Sequence, residues 1–201
     1  MSGALRALGP AFFARDARAV GRDLLGAYLI SECGGARCVG RIVETEAYPG
    51  PFDPASHASA SVGRTARNDP MFGPPGTAYL HLNYGVHWCL NAVAGPEGYP
   101  AAVLLRAVEP IEGREVMQRR RAGRPYRELS SGPGKLTQAL GIGPELQRHR
   151  LDEPPLIIAA GEPLAPRDLV RTARIGIARG ADKRWRYYDR RSPFVSRRAR
   201  L

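Results

Sequence analysis

Cysteine is scarce: Cys33, Cys38 and Cys89 are the only three in 201 residues. An odd, sparse count argues against a disulfide framework. Cys33 and Cys38 stand at a C-x4-C spacing across Gly34-Gly35, and no second Cys/His pair follows at zinc spacing. That argues against a structural zinc site and for small buried or strand residues. Lysine is scarcer still, with Lys135 and Lys183 alone, so arginine carries the basic character. No apolar run approaches the roughly 18 residues that a membrane span needs. The opening MSGALRALGPAFFARDAR lacks the apolar core and small-residue cleavage site of a secretory signal. The expectation is a cytoplasmic protein with no membrane partner. Also missing are G-x-x-x-x-G-K-[ST], G-x-S-x-G, H-E-x-x-H and a G-x-G-x-x-G in a βαβ setting. Walker-type, serine-hydrolase, zincin and Rossmann chemistry therefore have no support.

What is present is a cationic surplus. Thirty Lys and Arg face nineteen Asp and Glu, giving +11 and a pI near 10.3. A domain that basic carries the electrostatic footprint of a nucleic-acid binder. Generic arginine usage on solvated faces is the alternative. At this length, with 43% hydrophobic residues, the chain can bury a substantial core, and neither an internal repeat nor a linker divides it. The expected organisation is one domain over 1–201, with 1–15 a loosely held arm and 183–201 a basic tail.

Asp16 is placed to cap a helix reaching Leu25. Ala27–Ile30 and Cys38–Glu46 read as a β-hairpin. In the return strand Glu44, Glu46 and Tyr48 share one face, opposite Val43 and Thr45. Residues 49–77 hold many prolines and glycines among His57, Arg64, Arg67, Asn68, Met71 and Phe72. So long a loop inside a compact domain is either functional or disordered, and these residues point to an ordered functional loop. Ala78–Asn83 and Val86–Val93 alternate around Tyr84-Gly85, a second hairpin with a tyrosine at its tip. Ala101–Val108 is an apolar strand with a lone Arg106, which is costly there unless paired or facing a polar cleft. Pro110 suits the first turn of a helix starting at Glu109. SGPGKL enters a helix over Leu136–Leu140, and Pro155–Ala160 and Arg174–Ala178 read as short strands.

A carboxylate such as Glu46 in a dry cationic cleft can act as general base on water, or it can be an ordinary strand-edge acid. Tyr48, His57 and His81 can stack on a planar base, at about 1–3 kcal/mol per base, or simply pack in the core. Tyr84 suits a wedge between base pairs. Arg64, Arg67, Arg106 and Lys135 can neutralise backbone phosphates.

RIVETEAYPGPFDPASHA, RTARNDPMFGPPGTAYLHLNYGVHWCLN, AVLLRAVEPIEG and SGPGKLTQALGI, in that order, resemble the bacterial branch of the alkyladenine (3-methyladenine) DNA glycosylase family, colinear over about Leu24–Ser196. The resemblance implies an α+β fold: a single mixed domain around a curved antiparallel sheet, with flanking helices and a protruding β-hairpin. It implies no metal and no cofactor, a monomer, and double-stranded DNA containing damaged purines as partner. By the same resemblance Glu46 matches the general base. Tyr48, His57 and His81 match the walls of the base pocket, and Asn91 the residue that rejects guanine. Tyr84 matches the intercalating tyrosine, and Arg106 the arginine that holds the flipped nucleotide. His81 stands where some members have tyrosine. A cationic imidazole there would disfavour positively charged bases. The expected function is monofunctional hydrolytic excision of alkylated or deaminated purines (3-methyladenine, 7-methylguanine, hypoxanthine, ethenoadenine) from duplex DNA, in a nucleoid-associated setting. The alternative is a non-catalytic basic nucleic-acid-binding module.

Overall fold

A computed structural model describes residues 5–199. Helices α1 (Pro10–Phe13) and α2 (Ala17–Asp23) lead into strands β1 (Tyr28–Ser31) and β2 (Cys38–Tyr48). The long loop follows, then β3 (Ala78–Asn83), β4 (His87–Ala94) and β5 (Ala101–Glu112). Helices α3 (Arg114–Arg120) and α4 (Pro133–Leu140) precede β6 (Asp152–Glu153), β7 (Leu156–Ala159), β8 (Leu169–Thr172) and β9 (Arg186–Asp189). The nine strands of the described residues join one antiparallel sheet, seven of them ordered β3-β4-β5-β2-β1-β7-β6 while β9 branches from β2 and carries β8, and the sheet curls into a half-barrel. Among the described residues no helix is long and apolar enough to cross a membrane.

The sheet forks at β2. Its first half, Cys38–Arg41, pairs with β1; its second half, Glu44–Glu46, pairs with β9. Between them the ladder to β5 shifts twice, leaving Val43 and Arg106 without a directly opposed partner. Such a bulge bends a strand and resets which face its side chains occupy. Accordingly Ala101, Val103 and Leu105 join the main core under the helices, while Ala102, Leu104 and Arg106 face a cavity on the other side. The main core is built from Leu24, Leu29, Ile42, Leu90, Leu136 and their neighbours. A smaller cluster of Ala58, Met71, Tyr79, Val93 and Ala102 seats the long loop on the opposite face.

Several expectations hold. The Asp16 side chain caps α2, accepting from Arg18 N–H at 2.8 Å. Both hairpins form, and Tyr84 sits at the tip of the second, 85% exposed. Tyr84 and Gly85 have φ of 49° and 69°, the pair of positive values that a tight hairpin turn requires. The 49–77 loop is ordered by its own polar groups. The buried Asn68 amide donates to His57 O and Gly63 O, both at 2.8 Å, and its oxygen accepts from Thr65 N–H at 2.7 Å.

Others do not. No helix starts at Glu109, because β5 continues through Pro110 to Glu112. Proline cannot donate to the ladder, and a register shift between Val39 and Gly40 absorbs it. The helix begins at Arg114, after Gly113 at φ 78°. Arg174–Ala178 is not a strand. Gly176 breaks it at φ 73°, and the Ile175 N–H is taken by a side chain. The arm is held where it is described. Leu8 N–H bonds Ile158 O at 2.8 Å, and Phe13 is fully buried. The tail likewise contains β9 and the buried Phe194 and Val195. Residues 1–4 of the arm and Arg200 and Leu201 of the tail lie outside the described residues.

Candidate active site

The fork of β2 buries two carboxylates side by side on one face. Glu44 and Glu46 are both fully buried. Glu44 Oε1 accepts from Arg106 Nε at 3.0 Å, Arg186 Nε at 2.7 Å and Ser196 Oγ at 2.8 Å. Its Oε2 accepts from Ser196 N–H at 2.6 Å. Glu46 Oε1 accepts from Ile175 N–H at 2.7 Å, and its Oε2 from the Tyr48 hydroxyl at 2.9 Å. Arg106 Nη1 approaches the same Oε2 at 3.3 Å. One guanidinium therefore bridges both acids, which explains how an arginine survives inside β5. Burial, and then Glu46 itself, push the Tyr48 hydroxyl well above its ordinary value. The raised value favours the protonated hydroxyl, which donates to Glu46.

A cavity of about 580 Å³ opens in front of these groups. Tyr48, Arg106 and Ile175 form its inner wall, and Glu46 lies directly behind them. His57, Tyr79, His81 and Asn91 form a side wall, and Tyr84 and Pro133 contribute to the rim. The histidine rings meet edge to face, 4.6 Å between centroids. His57 Nδ1 hydrogen-bonds the Tyr79 hydroxyl at 2.8 Å. The Asn91 amide nitrogen reaches Tyr79 O at 3.0 Å, Cys89 O at 3.4 Å and His81 Nδ1 at 3.1 Å. Two carbonyl neighbours identify that end of the amide as the donor, so His81 Nδ1 accepts and its ring proton sits on Nε2.

His81 is not the cation that its residue type allows. Burial, reinforced by His57 and Arg67, pushes its pKa down to about 3. His57 is lowered too, by burial and then by Arg67. The wall that a cationic imidazole would have made repellent is neutral, and the electrostatic objection to positively charged bases falls away.

The structure brings together Tyr48, His57, His81, Asn91, Tyr84 and Arg106 around one cavity, with Glu46 behind it. It does not bring in Arg64, Arg67 or Lys135. Arg64 pairs with Asp69 at 2.6 Å and lies over the Phe72 ring. Arg67 is exposed and reaches Leu82 O at 3.4 Å. Lys135 stands on α4, 4.0 Å from Glu128. Gly134 in SGPGKL has a packing role. A Cβ there would lie 2.7 Å from His87 Cβ, so glycine lets α4 close against the second hairpin. Sequence reasoning missed the 174–179 segment, which supplies Ile175 N–H and lines a full wall. It also missed Arg186 and Ser196, which clamp Glu44. The only local signal was glycine punctuation at 176 and 180. Among the described residues, no group of three His, Cys, Asp or Glu is placed to hold a metal ion.

The sequence that folds into this curled antiparallel sheet, with a carboxylate buried behind an aromatic cavity, matches a known family over most of its length. The profile of the methylpurine-DNA glycosylase family (MPG) covers residues 11–193, and the chain belongs to that family. It is thus a DNA glycosylase of base excision repair, an N-glycosyl hydrolase of the DNA-3-methyladenine glycosylase type. Relatives named "Putative 3-methyladenine DNA glycosylase" include one from Carboxydothermus hydrogenoformans, 47% identical over 93% of this chain and 97% of its own. Another, from Salinibacter ruber, is 46% identical over 92% of this chain and 94% of its own. A third, from the archaeon Methanoculleus marisnigri, is 47% identical over 94% and 97%.

Proposed function

We propose that this glycosylase excises alkylated and deaminated purines, among them 3-methyladenine, 7-methylguanine, hypoxanthine and ethenoadenine, by flipping them out of duplex DNA into the cavity. The observation that carries the reading is Glu46, buried behind the cavity and aimed by Tyr48, Ile175 N–H and Arg106. Cationic rim residues find the phosphate backbone, and Tyr84, exposed at the hairpin tip, fills the stack that the base leaves. Extrusion costs a few kcal/mol and least for damaged pairs. Tyr48, His57 and His81 sandwich the base, and Asn91 excludes the guanine amine. Glu46 Oε1 accepts one hydrogen bond from the protein and has a lone pair left for water. The carboxylate orients that water, takes its proton as oxygen attacks C1′, and stabilises the cationic sugar. N3- or N7-alkylation makes the base a cationic leaving group that needs no added proton, whereas hypoxanthine or ethenoadenine departs as its anion and takes a proton from solvent.

The release is hydrolytic and monofunctional. Lys135 and Lys183 are the chain's two lysines, paired near Glu128 and Asp182, and the cavity wall holds neither. The enzyme works as a monomer, in the cytoplasm, on the nucleoid. The test is Glu46→Gln on duplexes carrying each lesion. The expected result is retained binding with base release lowered by about 10²–10⁴-fold. Unchanged release would remove Glu46 from catalysis. Binding without release in the wild-type protein would favour a non-catalytic module.

A further inference from the structure

Arg174 is buried where a cation is expensive. Its side chain is fully buried and bidentate on Asp53, with Nη2 at 2.7 Å from Oδ1 and Nη1 on Oδ2. Nη1 also donates to Ala47 O at 2.9 Å. The guanidinium lies against the Tyr48 ring at 4.6 Å and the Trp185 ring at 5.0 Å. Its Nε is buried with no acceptor. A well-packed apolar pair would commonly be as stable as such an ion pair, so stability alone does not account for it. A planar cation can stack on a ring, grip a carboxylate with two parallel bonds and reach a carbonyl at once, which lysine cannot.

What it holds is the inner wall. One face of Tyr48 is covered by Arg174, so the other is the face left for the cavity, and the Tyr48 hydroxyl sits on Glu46. The next residue along the chain, Ile175, gives Glu46 its backbone donor. Asp53 adjoins Pro54 and Ala55, which also line the cavity. We infer that Arg174 is a positioning residue for base release. It fixes the plane of Tyr48 and the Ile175 N–H on Glu46 by clamping the 49–77 loop to the 174–179 segment. This rests on the catalytic reading of Glu46.

The test is a double-mutant cycle on single-turnover release of 7-methylguanine and of hypoxanthine. Arg174→Gln combined with Asp53→Asn keeps an amide pair and strands no buried charge. Release is expected to fall about a hundredfold, the cost of a misplaced reacting group. Affinity for a duplex with an abasic-site analogue should stay within about threefold. In a Tyr48→Leu background the same pair should cost clearly less, about tenfold, because the Tyr48 half of its action is already gone and only the hold on the Ile175 N–H remains. Equal losses in both backgrounds, or no loss in either, overturn the inference. Should the pair fail to fold, Arg174→Lys is read in the same cycle, with about a tenfold loss expected. Glu46→Gln run in parallel separates the two ideas. If it is inert while the Arg174 variants release base at wild-type rates, only the positioning role falls. If it releases base normally, the catalytic reading falls.

Discussion

The inner end of the cavity and its rim are both rich in arginine, yet they use it in opposite ways. At the inner end, Arg106, Arg174 and Arg186 are buried and each is engaged by a buried carboxylate, Glu44, Glu46 or Asp53. At the rim Arg179 is exposed, and beyond the cavity's lining Arg67 is exposed and Lys135 is half-buried, its nearest acid 4.0 Å away. The inner guanidiniums are matched in number by carboxylates, so the surplus of +11 resides elsewhere. A paired, buried charge fixes geometry and is little screened by salt; an exposed one attracts from a distance and is screened. On the proposed function, the same residue type serves aim in one place and attraction in the other.

The largest effect should come from breaking the inner end. Glu44→Gln leaves Arg106 and Arg186 short of a negative partner in a site closed to solvent. Losing one partner of a buried charge network typically costs about 3–5 kcal/mol, seen as a lower urea midpoint. Release should collapse as well, because Arg106 also lies on Glu46. Full stability in Glu44→Gln would mean that the inner charges are not coupled as the distances indicate.

The side wall stands between the two regimes, polar yet neutral. His81 has a folded value near 3 against an ordinary 6.5. Below 6.5 the unfolded chain takes up a proton that the folded protein refuses. Stability is therefore complete above 6.5 and is lost as pH falls toward 3. Between pH 7 and pH 4 the loss from this group should be on the order of 3 kcal/mol. His81→Tyr removes the titrating group, so its stability should fall less over that interval in paired denaturant titrations. Parallel curves for the two proteins would show that His81 is not held neutral.

How much of this was legible depends on sequence distance. Alternation along 78–93 disclosed the hairpin and its tyrosine tip, because period two is a local property. An arginine inside AVLLRAV announced a polar feature, since it does not belong in a core unpaired, whereas the two acids of ETEAY read equally well as a solvated strand edge. Their partners were not legible. Ile175 N–H lies 129 residues from Glu46, and Ser196 lies 152 from Glu44. Ile175 sits in a stretch that reads as a short strand, and Ser196 in one whose composition reads as basic tail. Pro110 misled because proline suits a first helical turn and an irregular ladder position equally well, and only the facing strand decides. The resemblance named site residues that local patterning could not have ranked.

The smallest effects should come from the rim, and they test whether it attracts as proposed. Removing a side chain that neutralises one phosphate lowers the slope of log affinity against log salt by about 0.9. It weakens lesion-bearing and undamaged duplexes alike, because phosphate contacts carry no sequence information. Lys135→Ala and Arg67→Ala should each show that signature, with release from the bound state unchanged. Glu44→Gln, where enough protein folds to measure, should leave the slope as it was. Arg67 carries a second mark that Lys135 lacks. Its charge helps hold His57 and His81 below their ordinary values. Arg67→Ala should therefore let both imidazoles titrate at higher pH, a shift that NMR can follow ring by ring. A lowered slope without that shift would make Arg67 a phosphate contact only. The shift without the slope change would assign it to the cavity wall, and the division between an aiming interior and an attracting rim would have to be redrawn through residue 67.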